Sequence, residues 1–308
     1  MSTGSGPGPD VYFQGTPGVD PRAPGPHGDR SSRILFGGRG GRSGWVALSS
    51  TIAFFGVLTI VIVNSPGWSA EGGVRDQFFD GEVFSGSIWE IAEGFLVNVL
   101  IFLIAEVLIL VLALVLSVMR SLPGPLFAPL RILATGYSIV FRAVPTILII
   151  FLLGYGMPAL ELRGLPSGPN ADIFWAIVAL TLVYSAYVAE VYRAGIESVH
   201  PSQGAAARSL GLGRGQALRY VVLPQAVRRV IPPLLNDFIG LQKDSALVAL
   251  LGVSEALRHA QIEQATYFNF TPYMALALVY LVFTFPQVLL VDWLIRRDQR
   301  RRQAGGTA

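Results

Sequence analysis

The chain has 308 residues, of which 52% are hydrophobic and only 14% charged, and its formal net charge is +3. Soluble domains average about 45 to 50% apolar and about 25% charged residues, so this composition excludes an ordinary soluble protein and indicates a bilayer as the solvent. The absence of cysteine excludes disulfides and thiolate metal sites, and the three scattered histidines do not predict a metal centre.

The N-terminal part of the chain divides into a tail and a first apolar segment. Residues 1–43 are rich in Gly, Pro, Ser and Arg and nearly free of apolar side chains. Such a composition cannot offset the entropy of ordering, which predicts a disordered cytoplasmic tail. Residues 44–90 are predicted to form an extra N-terminal span, followed by a short extracellular segment that is acidic and aromatic.

Six segments are long and apolar enough to cross a hydrocarbon core about 30 Å thick, which needs about 20 residues. They are residues 45–63, 95–119, 132–154, 173–191, 230–253 and 273–294. The third and the fifth are interrupted by charges and proline, which are expensive in lipid and are usually placed against protein or a water-filled cavity. The sequence therefore predicts an all-α membrane protein, a bundle of about six transmembrane helices.

The arginines predict the orientation of this bundle. With the amino terminus inside, the inside segments hold nineteen of the twenty-two arginines, and the outside segments hold only Arg75, Arg163 and Arg258. Because cytoplasmic loops carry the excess of basic residues, both termini are expected in the cytoplasm, including a basic tail at 297–308. The loop at 192–229 is then cytoplasmic as well.

This loop is polar, whereas the segments around it are hydrophobic. Pro201 and Ser202 form a good helix start, with Ser202 as the expected N-cap. Residues 203–210 can then form about two turns, which Gly211 and Gly213 end. Pro224 is expected to stop the return segment.

The loop has a small-residue triplet, a glycine four positions beyond its last alanine, and a Leu-Pro ending. This pattern resembles the cytoplasmic signature loop of the membrane subunits of ABC importers. The sequence Ala189-Glu190-Val191-Tyr192-Arg193-Ala194-Gly195-Ile196 before it, and Lys243-Asp244-Ser245 after it, narrow the resemblance to the polar amino acid permease family. The resemblance implies an importer transmembrane domain over 91–296, with a coupling loop at 200–224.

In such permeases the loop helix is seated in a cleft of a separate ATPase subunit. The resemblance therefore implies ATPase-coupling roles for Ala205, Ala206, Ala207, Leu210, Gly211, Leu212, Leu223 and Pro224. The chain departs from the family at Ala205, where a glutamate is usual. A glutamate there would complete a capping box with Ser202 and could pair with a basic residue of the ATPase.

The third span contains Phe141-Arg142-Ala143-Val144-Pro145-Thr146, which resembles a Phe-Arg-Gly-Thr-Pro stretch of the family. Proline removes one backbone hydrogen bond and predicts a kink. The resemblance places Arg142, Pro145 and Thr146 at the cytoplasmic half of the solute path and its gate. The alternative for Arg142 is that it reaches the inner headgroups.

The fourth and fifth spans carry the remaining candidates for the solute path. Tyr184, Tyr187 and Glu190 recur at steps of three on one helical stripe, with Glu190 also suited to an ion pair with Arg193. The fifth span has four candidates, Asp237, Lys243, Asp244 and Ser245. They line the path or form a buried Lys-Asp network. Glu106 in the second span is either protonated or paired with Lys243 or Arg142.

The resemblance implies an inner-membrane permease that dimerises with itself or with a similar permease, is surrounded by lipid, and receives a polar amino acid from an extracellular binding protein. No phosphate-binding loop is present, so the chain is not expected to be an enzyme or to bind a cofactor, and ATP and Mg belong to the ATPase. No nucleic acid partner is expected. The alternatives are an ion-coupled transporter or channel-like protein that uses Glu106 and Asp244, and a membrane anchor.

Overall fold

The structure is a computed structural model that describes residues 41–168 and 171–305. Over these residues it contains helices, turns and loops and no strand, which confirms the predicted fold class. The principal helices are α1 (Gly41–Val63), α2 (Val74–Phe78), α3 (Gly81–Ser121), α4 (Ala128–Ala143), α5 (Thr146–Phe151), α6 (Ala171–Glu197), α7 (Pro201–Ser209), α8 (Arg214–Ala217), α9 (Leu223–Asp244), α10 (Ala256–Tyr267) and α11 (Thr271–Gly305).

The chain divides into two compact units, Met1–Trp68 and Ser69–Ala308. In the first unit, α1 matches the predicted first span. The Asn64 side chain donates to the carbonyl of Ile60 and the Ser65 hydroxyl donates to that of Ile62, which satisfies carbonyls at the helix end. The predicted disordered tail lies outside the described residues up to position 40.

The second unit begins earlier than the importer domain predicted at 91–296. Helix α3 starts at Gly81, where Asp80 caps it by accepting from the backbone N–H groups of Glu82 and Val83. The segment assigned to an extracellular stretch therefore includes the first turns of a 41-residue helix. Val83 and Ser87 are already buried there.

The third predicted span is broken rather than kinked. Helix α4 ends at Ala143, Val144 is extended, and α5 starts at Thr146 after Pro145. The residue before a proline avoids the helical region, and proline itself has no N–H to donate, so the helix ends here and a new one begins. A π turn at Leu152–Gly156 continues α5.

Four helical stretches in the described residues are long and apolar enough to cross a membrane: Val74–Ser121, Pro125–Ala143, Ala171–Glu197 and Thr271–Arg297. Ser49–Val63 and Thr146–Ala159 are shorter apolar helices. The fifth predicted span is not among them, because α9 begins at Leu223 in the polar loop and then gives way to a 3₁₀ turn, Ser245–Leu251. The prediction of about six spans is therefore approximate, while the helical membrane bundle is confirmed. The basic tail predicted at 297–308 continues α11 up to Gly305.

The core of the second unit lies between α3 and α6, which pack against each other more extensively than any other pair of described helices. Small side chains allow this close approach, among them Ala105 and Ala113 of α3 and Ala176 and Ala179 of α6, all fully buried. A second cluster joins α3 to α10 and α11 through Ile91, Ala256 and Ala275 and their neighbours.

Gly94 of α3 sets the distance to α10. A Cβ atom at Gly94 would lie 2.6 Å from His259 Cδ2 and 2.9 Å from the Ala256 backbone nitrogen. We expect Gly94→Ala to destabilise the protein by about 1 to 3 kcal/mol, because the backbone of α10 would have to move. Thermal unfolding in detergent measures this effect.

Gly86→Ala is the matched control in the same helix, since its Cβ would meet only the Tyr267 hydroxyl at 3.5 Å, an ordinary contact. We expect it to be neutral or to stabilise by about 0.5 to 1 kcal/mol. Equal destabilisation by both variants would show that the α3–α10 contact is not the constraint.

Candidate functional site

Helix α7 is the centre of the polar loop, and its start differs from the prediction. Pro201 occupies the first helical position and His200 is the N-cap, with Nδ1 of His200 accepting from the Ser202 N–H at 3.2 Å. Proline suits the first position because its missing N–H has no helical partner there. The prediction of Ser202 as N-cap was therefore wrong. Position 205 does not close a capping box, since Gln203 stands three residues after the cap.

The end of α7 depends on Gly211. Its N–H donates to the carbonyl of Arg208 at 2.9 Å, and the N–H of Leu212 donates to that of Ala207 at 3.2 Å. This is a Schellman motif, whose central residue is left-handed, and Gly211 has φ of +88°. The prediction that Gly211 ends the helix is confirmed. No atom within 4 Å would meet a Cβ at Gly211, so only the backbone conformation requires glycine.

The loop presents a small, partly apolar surface. Ala205 and Ala206 are exposed, Ala207 is buried, and Leu210 is 85% exposed. Leu212 is half-buried, whereas Leu223 and Pro224 are exposed at the start of α9. Pro224 directly follows the π turn Leu218–Val222 within one helical run, so the prediction that it stops the return segment was wrong. The fixed φ of proline is compatible with a helix. Most of the residues predicted for ATPase coupling are therefore exposed, and Ala207 is the one that is buried.

The loop is tied to the bundle by a continuous helical connection. Gln216 Oε1 accepts from the Gly213 N–H at 2.9 Å at the start of α8, and a π turn, Leu218–Val222, leads directly into α9. Further along, Gly195 of α6 allows α9 to approach, since a Cβ there would overlap Val230. Arg229 of α9 donates to the carbonyl of Ser198. The helical run from α8 through the π turn into α9 is therefore unbroken after Gly213.

Glu190 binds three arginines from three helices. Its carboxylate lies 2.9 Å from Arg120 of α3 and 3.7 Å from Arg142 of α4, and it also contacts Arg193 of α6. The ion pair with Arg193 is the one expected from the sequence. The Arg142 guanidinium also lies 5.8 Å from the ring centre of Tyr187, so Arg142 faces α6 beside the break at Pro145.

The structure does not bring the other candidates for the solute path together. The Tyr184 hydroxyl donates to Asp244 Oδ2 at 2.9 Å, between α6 and the end of α9. Lys243, one residue away, lies on a different face and lines a pocket against α11. The Ser245 hydroxyl is buried and donates to the Gln242 carbonyl at 2.6 Å. Asp237 has a buried oxygen without a hydrogen-bond partner, and Thr146 is half-buried where α5 starts.

The charge pairs expected for Lys243 and Glu106 are not formed among the described residues. Among the described residues the ion pairs are those of Glu190, of Glu197 with Arg193 and of Asp292 with Arg296. Lys243 therefore makes no pair with Asp244 or Glu106, and it is exposed rather than buried. The buried Lys-Asp network was a wrong alternative, and so was pairing of Glu106 with Lys243 or Arg142.

A buried polar cluster was missed by the sequence analysis. Glu255 is fully buried and caps α10, and its carboxylate accepts from Asn98 Nδ2 at 2.7 Å and from the Arg258 N–H at 2.8 Å. Burial raises the pKa of Glu255, and these hydrogen bonds partly oppose the shift. The sequence feature that could have revealed this cluster is Asn98, a lone polar residue in an apolar span. Its amide requires a hydrogen-bond partner from another helix.

These features define a polytopic membrane subunit with a polar helical loop joined to one of its membrane helices. A family model described as binding-protein-dependent transport system inner membrane component matches residues 124–300. The chain belongs to this family.

Relatives and a solved structure agree with this membership. A protein of Bacillus subtilis described as a probable glutamine ABC transporter permease is 37% identical, covering 68% of this chain and 93% of the relative. The arginine transport system permease of the same organism is 33% identical, covering 68% and 91%. A crystal structure of an amino acid ABC transporter with histidines is 31% identical with a TM-score of 0.59, covering 70% of this chain and 94% of that one.

The Glu190 cluster generates a stability prediction. Glu190→Gln leaves three guanidinium groups around a neutral amide, and we expect it to destabilise the protein by about 1 to 3 kcal/mol. Glu197→Gln is the matched control, because Glu197 contacts only Arg193 and its side chain is 61% exposed. We expect less than about 1 kcal/mol for it. If unfolding in detergent shows equal losses, the cluster does not join the helices.

Proposed function

We propose that this chain is the membrane-spanning permease subunit of an ATP-driven uptake system for amino acids. The observation that carries the proposal is α7, a short helix closed by the Gly211 turn with Leu210 exposed at its end. It is followed by α8, which continues through the π turn into α9. Family membership supports the same role. The relatives are named for glutamine, arginine and glutamate/aspartate, whose side chains differ in charge and whose α-amino and α-carboxylate groups are the same.

In this proposal a separate ATPase seats α7 in a cleft, with Ala205 and Ala206 permitting close approach and Leu210 filling a pocket. ATP and Mg are bound by the ATPase. Two permease copies, or this chain and a similar permease, enclose the path, and an extracellular binding protein delivers a polar amino acid. Closure of the ATPases pushes α7, and the connection to α9 reorients the bundle between two states.

The energy source distinguishes the proposed importer from an ion-coupled transporter. Vesicles that contain the permease, its ATPase and its binding protein should take up the amino acid with ATP and without any ion gradient. Uptake that needs a proton or sodium gradient and ignores ATP would favour the ion-coupled alternative.

Gly211→Trp tests the coupling surface. No neighbouring atom in the chain would oppose the new side chain, so we expect the permease to insert and dimerise. An indole beside Leu210 should block the cleft contact, and recovery of the ATPase with the permease and ATP-dependent uptake should both fall at least about tenfold. Co-purification and vesicle uptake measure these effects.

Gly211→Ala is the matched control, since it imposes the same backbone strain at positive φ without the bulk. We expect it to keep most of the ATPase binding. Normal ATPase binding and uptake by Gly211→Trp would refute α7 as the coupling element, whereas equal loss in both variants would assign the effect to the turn.

The proposed orientation puts both termini and α7 in the cytoplasm. The chain has no cysteine, so a single introduced cysteine is its only thiol. Cysteines at the exposed positions Ser85 and Gly168 should react with an impermeant reagent in intact cells, and one at Gly213 should react only after permeabilisation. The reverse pattern would invert the topology.

A further inference from the structure

A groove lies between the first half of α9 and the last apolar turns of α11. Its volume is about 320 Å³, which is within the range of small-molecule sites. No residue of α7 or of the Glu190 cluster lines it. The lining residues that matter below are Arg228, Ile231 and Leu235 of α9, and Leu294, Ile295 and Arg297 of α11.

The groove has a charged end and an apolar end. Along α9, Arg228 comes before the apolar lining residues, and along α11, Arg297 comes after them. The two helices run antiparallel, because Lys243 near the end of α9 lies beside α11 residues numbered 277–288, whereas the start of α9 lies beside Leu294 and Arg297. Both arginines are therefore at the same end of the groove, and the aliphatic side chains extend away from them.

The depth of the groove places its charged end at the membrane surface. Helix α11 begins at Thr271, and at 1.5 Å per residue Leu294 lies about 35 Å along it. The stretch of α11 that is apolar enough to cross a membrane ends at Arg297. Because a hydrocarbon core is about 30 Å thick, α11 leaves the core at the level of the two arginines, where lipid phosphates lie. In the proposed orientation this is the inner leaflet.

The arginine on α11 is held in place without being neutralised. The guanidinium of Arg297 lies 5.0 Å from the ring centre of Trp293, a cation–π contact that leaves the positive charge intact. Among the side chains that the structure describes, Arg297 forms no ion pair, and no carboxylate lines the groove. Arg296, by contrast, pairs with Asp292 at 3.9 Å and does not line the groove.

We propose that this groove binds one anionic phospholipid, with its phosphate at Arg228 and Arg297 and an acyl chain against Ile231, Leu235 and Leu294. The inference goes beyond the transport role and does not depend on it. Guanidinium groups bind phosphate oxygens through paired, charge-assisted hydrogen bonds. Basic pockets between membrane helices at this depth suit anionic headgroups.

The two-part lining favours a lipid over a soluble phosphate. Free phosphate would occupy only the charged end and would leave the aliphatic walls without a partner, whereas a phospholipid fills both ends. A zwitterionic lipid would bring its own cationic group close to the two guanidinium groups. An anionic headgroup avoids this repulsion, so the arginines select among the lipids that can reach the groove.

The test uses the full-length chain purified in a neutral detergent, with native mass spectrometry to measure the affinity of the first bound ligand. Phosphatidylglycerol, phosphatidylcholine and glycerol phosphate are titrated separately. We expect phosphatidylglycerol to bind at least about fivefold more tightly than phosphatidylcholine, and glycerol phosphate not to bind at the same concentrations. Equal affinity for the two lipids overturns the proposal, and so does glycerol phosphate that binds as tightly as phosphatidylglycerol.

Arg297→Gln should weaken the affinity for phosphatidylglycerol about fivefold, and adding Arg228→Gln should bring the loss to about twenty- to thirtyfold. Arg296→Gln is the matched control, because it removes the same charge one residue away and outside the groove. We expect it to change the affinity less than about twofold. Equal losses in Arg296→Gln and Arg297→Gln would show a general attraction to the basic surface and would overturn the site.

Leu294→Trp tests the apolar end while both arginines remain. The indole should fill the space of the acyl chain and weaken phosphatidylglycerol binding at least about fivefold. Unchanged affinity in this variant contradicts the proposal. Dissociation of a permease pair by Arg297→Gln also contradicts it, because the groove would then be an interface with a second copy of the chain.

Discussion

The close packing of α3 against α6 is the contact on which the rest of the second unit depends. In a bilayer there is no hydrophobic drive between helices, because lipid tails are as apolar as leucine, so association relies on close contact and hydrogen bonds. Alanines at 105, 113, 176 and 179 bring the two helices together, and α4, α5 and α9 contribute to the same buried cluster. Gly94 likewise allows α3 to approach α10 closely, and Gly195 allows α6 to approach α9.

The placement of the charged side chains follows from the same constraint, because each charge in a bilayer needs an ion-pair partner, a hydrogen-bond partner or water. The Glu190 carboxylate forms ion pairs with arginines of α3, α4 and α6, and these pairs join three helices beside the break at Pro145. The Glu255 carboxylate instead accepts hydrogen bonds from Asn98 and from a backbone N–H at the N-terminus of α10. Two described charges of α9 lack such a partner, since Asp237 has a buried oxygen without a hydrogen bond and Lys243 makes no ion pair at its pocket against α11.

In the proposed function the polar loop is the part of the bundle that a partner moves. Leu210 is exposed where α7 ends, while the π turn makes α9 the direct continuation of α8. A helix that started freshly at Pro224 would have left a hinge between loop and bundle. Because the helix instead runs unbroken from α8 past Pro224 into α9, the proposal expects a force on the loop to act on the helix that carries Asp237, Lys243 and Asp244.

Composition, hydropathy and turn chemistry determined the membrane class, the helical loop and the positive φ of Gly211, because each depends on residues adjacent along the chain. Tertiary structure alone decided that Arg120 joins Glu190 across 70 residues, that Lys243 and Asp244 face different helices, and that Glu255 is buried. The physical reason is that helical periodicity specifies the angle of a side chain on its own helix. It does not specify which neighbouring helix covers that face, and only this neighbour makes a charge paired, buried or free.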